Sequence, residues 1–214
     1  MKRTLKILVI GFILIGPLVW GLLWKYSKTS YKKLPVMGSV EMTGDTTPWV
    51  IPNFAFISQT GDSVTQKDFE GTIYVANFFF ATCPDVCPKM NRNLHLVYEK
   101  FKNDPKVKFL SHTVHPEHDS VEILAEYARK LKVNNTKWYF VTGRKKDIYD
   151  IAQENYKAVT VEGDKPANFI HSDKLILVDK EKHIRGIYDS QDYKDVLRLQ
   201  DDIIIVLKEY DDKK

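Results

Sequence analysis

The sequence predicts an α/β domain, a sheet with parallel strands at its middle and helices on both faces, preceded by one apolar segment. Three observations predict it. The element signals run β-hairpin, β-α-β-α, β-α and β-β-α, an alternation that implies a sheet covered on both sides. Residues 72–80 form a continuous apolar run, as in a strand buried on both faces of a parallel sheet. Residues 7–24 carry no charge, and 18 residues is near the lower limit for crossing a bilayer core.

The chain begins with a short basic segment, residues 1–6, in which Lys2, Arg3 and Lys6 precede the apolar stretch. Trp20 and Trp24 end that stretch, where indoles favour a membrane interface. No small-x-small cleavage site follows it, so it reads as a single uncleaved transmembrane anchor over 7–24. No cysteine stands nearby for lipid attachment. Lys25, Lys28, Lys32 and Lys33 outnumber the basic residues upstream, so charge counting alone does not orient the segment. Residues 25–47, polar and marked by Pro35, Gly38 and Gly44, read as a tether to a domain over 48–214.

Within that domain, alternation around Phe54 and Phe56 predicts a half-buried strand over 50–57. A turn with Gly61-Asp62 at its tip makes it an N-terminal hairpin. Thr65 and Asp68 have the spacing of a capped helical turn. After the buried run at 72–80, Met90, Leu94, Val97 and Phe101 recur at helical spacing as far as Asn103. A second apolar strand is expected over 107–114, and a helix over 120–132 with Val121, Leu124, Ala128 and Leu131 inward. A short strand at 138–142 and a short helix at 147–155 follow. A hairpin of 175–178 with 184–188 and a closing helix over 192–210 complete the domain.

Composition narrows the function. With 214 residues there is room for one domain plus extras, and 43% hydrophobic residues are ample for a core. The net charge of +4 is too small for a dedicated nucleic-acid binder. Seven of the 32 basic residues, and none of the 28 acidic ones, fall in the first 33 positions, so the body is mildly acidic. Two cysteines exclude both a disulfide-dense scaffold and an all-cysteine zinc ribbon.

Both cysteines lie in Cys83-Pro-Asp-Val-Cys87, where the buried strand ends. Ligands gather beyond the carboxyl ends of such strands. Placed within one turn of a helix start, the two sulfurs would share a face, with Pro84 at the first helical position and the helix N-terminus favouring thiolates. Three uses stay open: a redox dithiol, a soft-metal site for Cu(I) or Zn(II), or a structural pair. Asp85, between the cysteines, is read as an acidic residue suited to a first helical turn.

Phe80-Ala-Thr-Cys83-Pro-Asp-Val-Cys87-Pro88 resembles the signature of the Sco/SenC family, membrane-anchored copper proteins of cytochrome c oxidase assembly. Gly71 before the apolar strand, Thr113-Val-His-Pro-Glu-His-Asp119, Trp138 to Gly143, and Phe169-Ile-His171-Ser are similar to family segments in the same order. The resemblance covers roughly residues 48–207. It implies a thioredoxin-like fold with an inserted hairpin, and one copper ion, Cu(I) or Cu(II), held by Cys83, Cys87 and His171. It implies a soluble domain on the periplasmic or intermembrane-space side of the membrane. The implied activity is metallochaperone delivery of copper to the binuclear copper centre of oxidase subunit II, with other copper chaperones as further partners. Thiol–disulfide reduction of that subunit or of another copper protein, with Cys83 and Cys87 as catalytic residues, is the alternative.

Two departures stand out. Ile170 occupies the place of a common acidic residue before the histidine, and His115-Pro116 that of Asp-Pro. His112, His115 and His118 thereby form a run at spacing three. Pro116 and the preceding strand argue against one shared helical face, so exposed loop histidines are expected rather than a second metal site. His115 alone is the candidate to approach the copper ligands. His95 and His183 read as a helix-face and a turn residue.

Overall fold

The computed structural model describes residues 13, 15–21, 31–40, 46–84, 86–157 and 172–212. The chain divides into two compact units, Met1–Lys32 and Lys33–Lys214. In the first, residues 15–21 are helical (α1), and Ile15, Leu18 and Trp20 expose 62%, 67% and 74% of their surface. Most of the apolar segment 7–24 lies outside the described residues. Among those described, no helix is long and apolar enough to cross a membrane.

The second unit is built on a seven-stranded mixed sheet. Its strands are β3 (Ala55–Ser58), β4 (Ser63–Thr65), β5 (Ile73–Phe79), β6 (Val107–Thr113), β7 (Trp138–Thr142), β8 (Lys174–Val178) and β9 (Ile184–Asp189). The order across the sheet is β4-β3-β7-β6-β5-β8-β9. β5 and β6, and β6 and β7, run parallel, while the remaining pairs are antiparallel. β1 (Gly38–Val40) and β2 (Thr46–Pro48) pair separately.

β5 is buried at every position, because its neighbours pair on both edges and helices cover both faces. Its side chains divide by the strand period of two. Ile73, Val75 and Phe79 face one core, with Met90, Leu94, Val97 and Phe101 of α2 (Val86–Phe101). Leu124 and Ala128 of α3 (Val121–Leu131) and Val196, Leu199 and Ile203 of α5 (Tyr193–Asp211) join the same core. Tyr74, Ala76 and Phe78 face the other, with Ile148 of α4 (Lys145–Asp150) and Ile151 of the wider helical turn Ile151–Asn155. That turn is a one-residue expansion of the helix predicted over 147–155.

Local chemistry sets the element ends. The β3–β4 turn is reached through Gly61, whose φ of +83° is open to glycine without cost. The short helix Gln66–Phe69 begins at Thr65, whose N–H donates to the Asp68 carboxylate at 2.7 Å. Ser120 caps α3 and Asp192 caps α5.

Upstream of Pro48, in the segment read as a tether, Leu34, Pro35 and Met37 are hydrogen-bonded to the body. The Arg185 guanidinium is the reason. It is buried between Asp179 and Glu209, at 3.1 and 2.7 Å, and its remaining donors need acceptors. The carbonyls of Leu34 and Pro35 supply them, the Leu34 N–H donates to Glu209 at 2.8 Å, and the Met37 N–H donates to the Ile184 carbonyl at 2.9 Å. Apart from β3–β4, β8–β9 and the β1–β2 pair, the described residues hold no hairpin answering to the inserted one. Residues 158–171 lie outside them.

Candidate metal centre

Parallel pairing brings the loops after β5 and β6 to one edge. Phe79 stands opposite Thr113, and the Val114 N–H donates to the Phe79 carbonyl at 2.8 Å. The first loop carries Cys83, and α2 then carries Cys87. Both thiols are free; Cys83 is half-buried and Cys87 is only 6% exposed.

Cys83 is not helical, contrary to the expectation that both cysteines share a helix face, because α2 begins at Val86. A residue before proline is disfavoured from the α region, and Pro84 follows Cys83. Pro84 therefore precedes the helix as well, while Pro88 sits in the first turn, where its missing N–H costs nothing. The two cysteines still touch. The Cys87 N–H donates to Cys83 Sγ at 3.4 Å, so the thiol caps a helical donor that would otherwise be orphaned. The expected activation of both thiols is corrected at Cys87. Burial pushes its pKa up, and the Cys83 sulfur beside it adds to the rise.

A pocket of about 280 Å³ opens beside Cys87. Phe78, Phe80 and Val114 form part of its apolar wall, and Ser172 and Asp173 close another side. His171, the residue before Ser172, lies outside the described residues, as do Asp85 and Ile170.

Two supports were not legible beforehand. Tyr127 of α3 packs on Phe79, its phenol is pushed up to about 12 chiefly by burial, and negative charge on either sulfur would push it further. Its hydroxyl accepts from Asn91 Nδ2 at 2.7 Å, and Asn91 Oδ1 accepts from Asn77 at 3.2 Å. Ser111 donates to Asn77 Oδ1 at 2.5 Å and accepts from the Trp138 indole at 2.8 Å. This buried chain runs from Trp138 of β7 to Tyr127 of α3. The only sequence signal for it was two asparagines at otherwise apolar positions. The second support is Asp119, fully buried, which accepts from the Ala81 N–H of the cysteine loop at 2.9 Å.

The three histidines separate. His112 is a core residue, correcting its place among exposed loop histidines. It stacks on Phe78 at 4.8 Å and meets Phe56 edge-on. Neither ring nitrogen makes a well-aligned hydrogen bond. Burial pulls its pKa down to about 3, opposed only by the Asn77 backbone. His115 and His118 stack on each other in the loop after β6, centroids 5.3 Å apart. His95 and His183 lie on α2 and in the β8–β9 turn, as expected.

A dithiol at the carboxyl edge of parallel strands, running into a helix packed on the sheet, defines an α/β protein of the thioredoxin-like class. The chain belongs to the SCO1/SenC family, whose model matches residues 43–203. It is 26% identical over 149 residues to the SCO1 protein homolog of Bacillus subtilis, covering 67% of this chain and 77% of that one. It is 28% identical over 194 residues to a SCO2-like protein of Rickettsia typhi, covering 87% and 92%. Among solved structures, a SCO1/SenC family lipoprotein from Bacillus anthracis superposes with a TM-score of 0.63 at 28% identity, over 73% of this chain and 96% of that one. Arabidopsis thaliana ScoI, solved with copper bound, shares the fold with a TM-score of 0.61 at 24% identity, over 75% and 99%.

Proposed function

We propose that this protein is a membrane-anchored copper metallochaperone that binds one copper ion through Cys83, Cys87 and His171. Its client in this reading is subunit II of cytochrome c oxidase, which receives the metal for its binuclear copper centre. One observation carries the reading. Ser172 and Asp173 line the pocket beside Cys87, and His171 is the next residue upstream in the sequence. Two sulfurs favour Cu(I), and an added imidazole lets the same site hold Cu(II). Three ligands leave a position open for a client's donor, which suits transfer.

The donor set fits the cargo. Both thiols are free, and their sulfurs are close enough to perturb each other. Metal displaces the thiol protons, so the raised pKa of Cys87 makes loading proton-coupled. Asp119 holds the loop of Cys83 through the Ala81 N–H.

The anchor rests on the uncharged stretch 7–24 and on the exposed apolar side chains of α1. With it the domain would face the periplasm or the intermembrane space. The domain limits are then 7–24 for the anchor and about 33–214 for the body.

Thiol–disulfide exchange is the second reading, favoured by the exposure difference between the thiols: Cys83 is accessible to attack and Cys87 is sheltered behind it. His171→Ala in the full chain separates the readings. Copper affinity is expected to fall at least tenfold while reduction of a client disulfide persists. Unchanged affinity would remove His171 from the metal site.

A further inference from the structure

Away from the thiols, the described residues hold two groups of side chains able to share a cation: Asp179 with Glu181 and His183, and His115 with His118 and Asp119. Turn structure accounts for the first. The Asp179 carboxylate already accepts from the Glu181 and His183 N–H groups and from Arg185.

The second is arranged differently. Asp119 is buried, and its Oδ2 is occupied by the Thr113 hydroxyl at 2.5 Å and the Ala81 N–H at 2.9 Å. Its Oδ1 lies 2.9 Å from His118 Nδ1. In the tautomer that donates Nδ1–H to this carboxylate, Nε2 keeps its lone pair for a metal. A carboxylate behind an imidazole is the arrangement that orients metal-ligating histidines. His118 is 42% exposed at its side chain, so that nitrogen is reachable from solvent. The loop is held in a tight turn: the His118 and Asp119 N–H groups both donate to the His115 carbonyl, at 3.0 and 2.9 Å. The turn stacks the two rings within 19° of parallel. One ligand atom from each of the three residues lies within 4.8 Å of the others. Metal–nitrogen bonds of about 2.0–2.1 Å bring two ligand nitrogens to roughly 3.4 Å, within reach of a side-chain rotation.

We propose that His115 and His118, oriented by Asp119, form a second cation site that takes a divalent ion of borderline softness, Cu(II) most tightly. Imidazole nitrogen suits Cu(II) and Zn(II), whereas the thiol pair suits Cu(I), so two sites of different softness lie at one edge of the sheet. They share a frame. Val114, next to His115, lines the pocket of Cys87, and Asp119 holds Ala81, two residues before Cys83. The site gives a divalent ion a place to dock on the loop after β6, which shares this frame with the cysteine loop. It does not depend on the function proposed for them.

The test uses the full chain with Cys83→Ser and Cys87→Ser, titrated with Cu(II) and read by electron paramagnetic resonance and by competition with a chelator. One equivalent is expected, with coupling to two imidazole nitrogens. His115→Ala or His118→Ala should each weaken it at least tenfold, and the double variant should remove it. Near-UV circular dichroism on each variant checks that the body stays folded. The doubly substituted Cys variant supplies a readout that needs no histidine change. Absence of nitrogen coupling there, or affinity within twofold of the parent in the double histidine variant, would overturn the site. Neither outcome bears on copper at Cys83 and Cys87.

Discussion

The buried carboxylate of Asp119 accepts a hydrogen bond from the backbone N–H of Ala81 at 2.9 Å, joining two loops 38 residues apart. One loop leads to Cys83, and the other carries His115 and His118. The same oxygen accepts from Thr113. A single side chain thus sets the spacing of everything at this edge.

Removing it should loosen the edge before the core. Asp119→Ala strands the Ala81 N–H and the Thr113 hydroxyl, and bonds to a charged acceptor are worth about 1.5–3 kcal/mol each. A loss of about 3–6 kcal/mol in urea denaturation is expected. Amide hydrogen exchange at residues 81–83 should rise more than at β5. A loss below about 0.5 kcal/mol would show that the bond is incidental.

Acid should destabilise the body through His112. Its pKa is pulled to about 3 in the fold, against about 6.5 in the unfolded chain. Between those values the unfolded state binds the proton and the native state does not. His112 therefore contributes no pH dependence above about 6.5, and stability falls as pH drops from there toward 3, by up to about 1.4 kcal/mol per pH unit. His112→Phe keeps a ring against Phe78 and removes the titration. The difference between the two stability curves should widen steadily below pH 6.5; parallel curves would refute it.

The two thiols should differ in reactivity in the metal-free protein. Cys83 is half-buried, while Cys87 is enclosed and its thiolate is disfavoured by burial. Alkylation by iodoacetamide at pH 7.5, followed by mass spectrometry, should label Cys83 at least tenfold faster. Raising the pH should narrow the gap, because thiolate is the reacting form. Equal rates would mean that Cys87 opens readily to solvent.

Much of the body could be read from local pattern. The mostly apolar run 72–80 became β5, an interior strand, because a strand covered on both faces is what tolerates such a run. The i, i+4 stripe from Met90 to Phe101 became the buried face of α2, and Asp192 and Ser120 began the helices that their side chains cap. The packing of residues 34–37 against the body has a non-local origin. Residues 34–37 carry no periodic signal, and they are held by Arg185, some 150 positions away. The helix start was placed too early because the effect of Pro84 on the residue before it outweighs the preference of proline for a first helical position.

Taken alone, the sequence determined the alternation of elements, the strand buried on both faces, and the pairing of the two cysteines in one short segment at that strand's end. These follow from periodicity and from residue types a few positions apart. Only the tertiary structure decided what His112 and His118 are. His112 and His118 are six residues apart, but the end of β6 falls between them. One side is pressed among Phe56, Phe78 and Tyr156, where a charge is unfavourable. The other stands in an exposed turn with a buried carboxylate behind its ring. Burial and a partner's direction depend on strands brought together from across the chain, and spacing along the chain does not encode them.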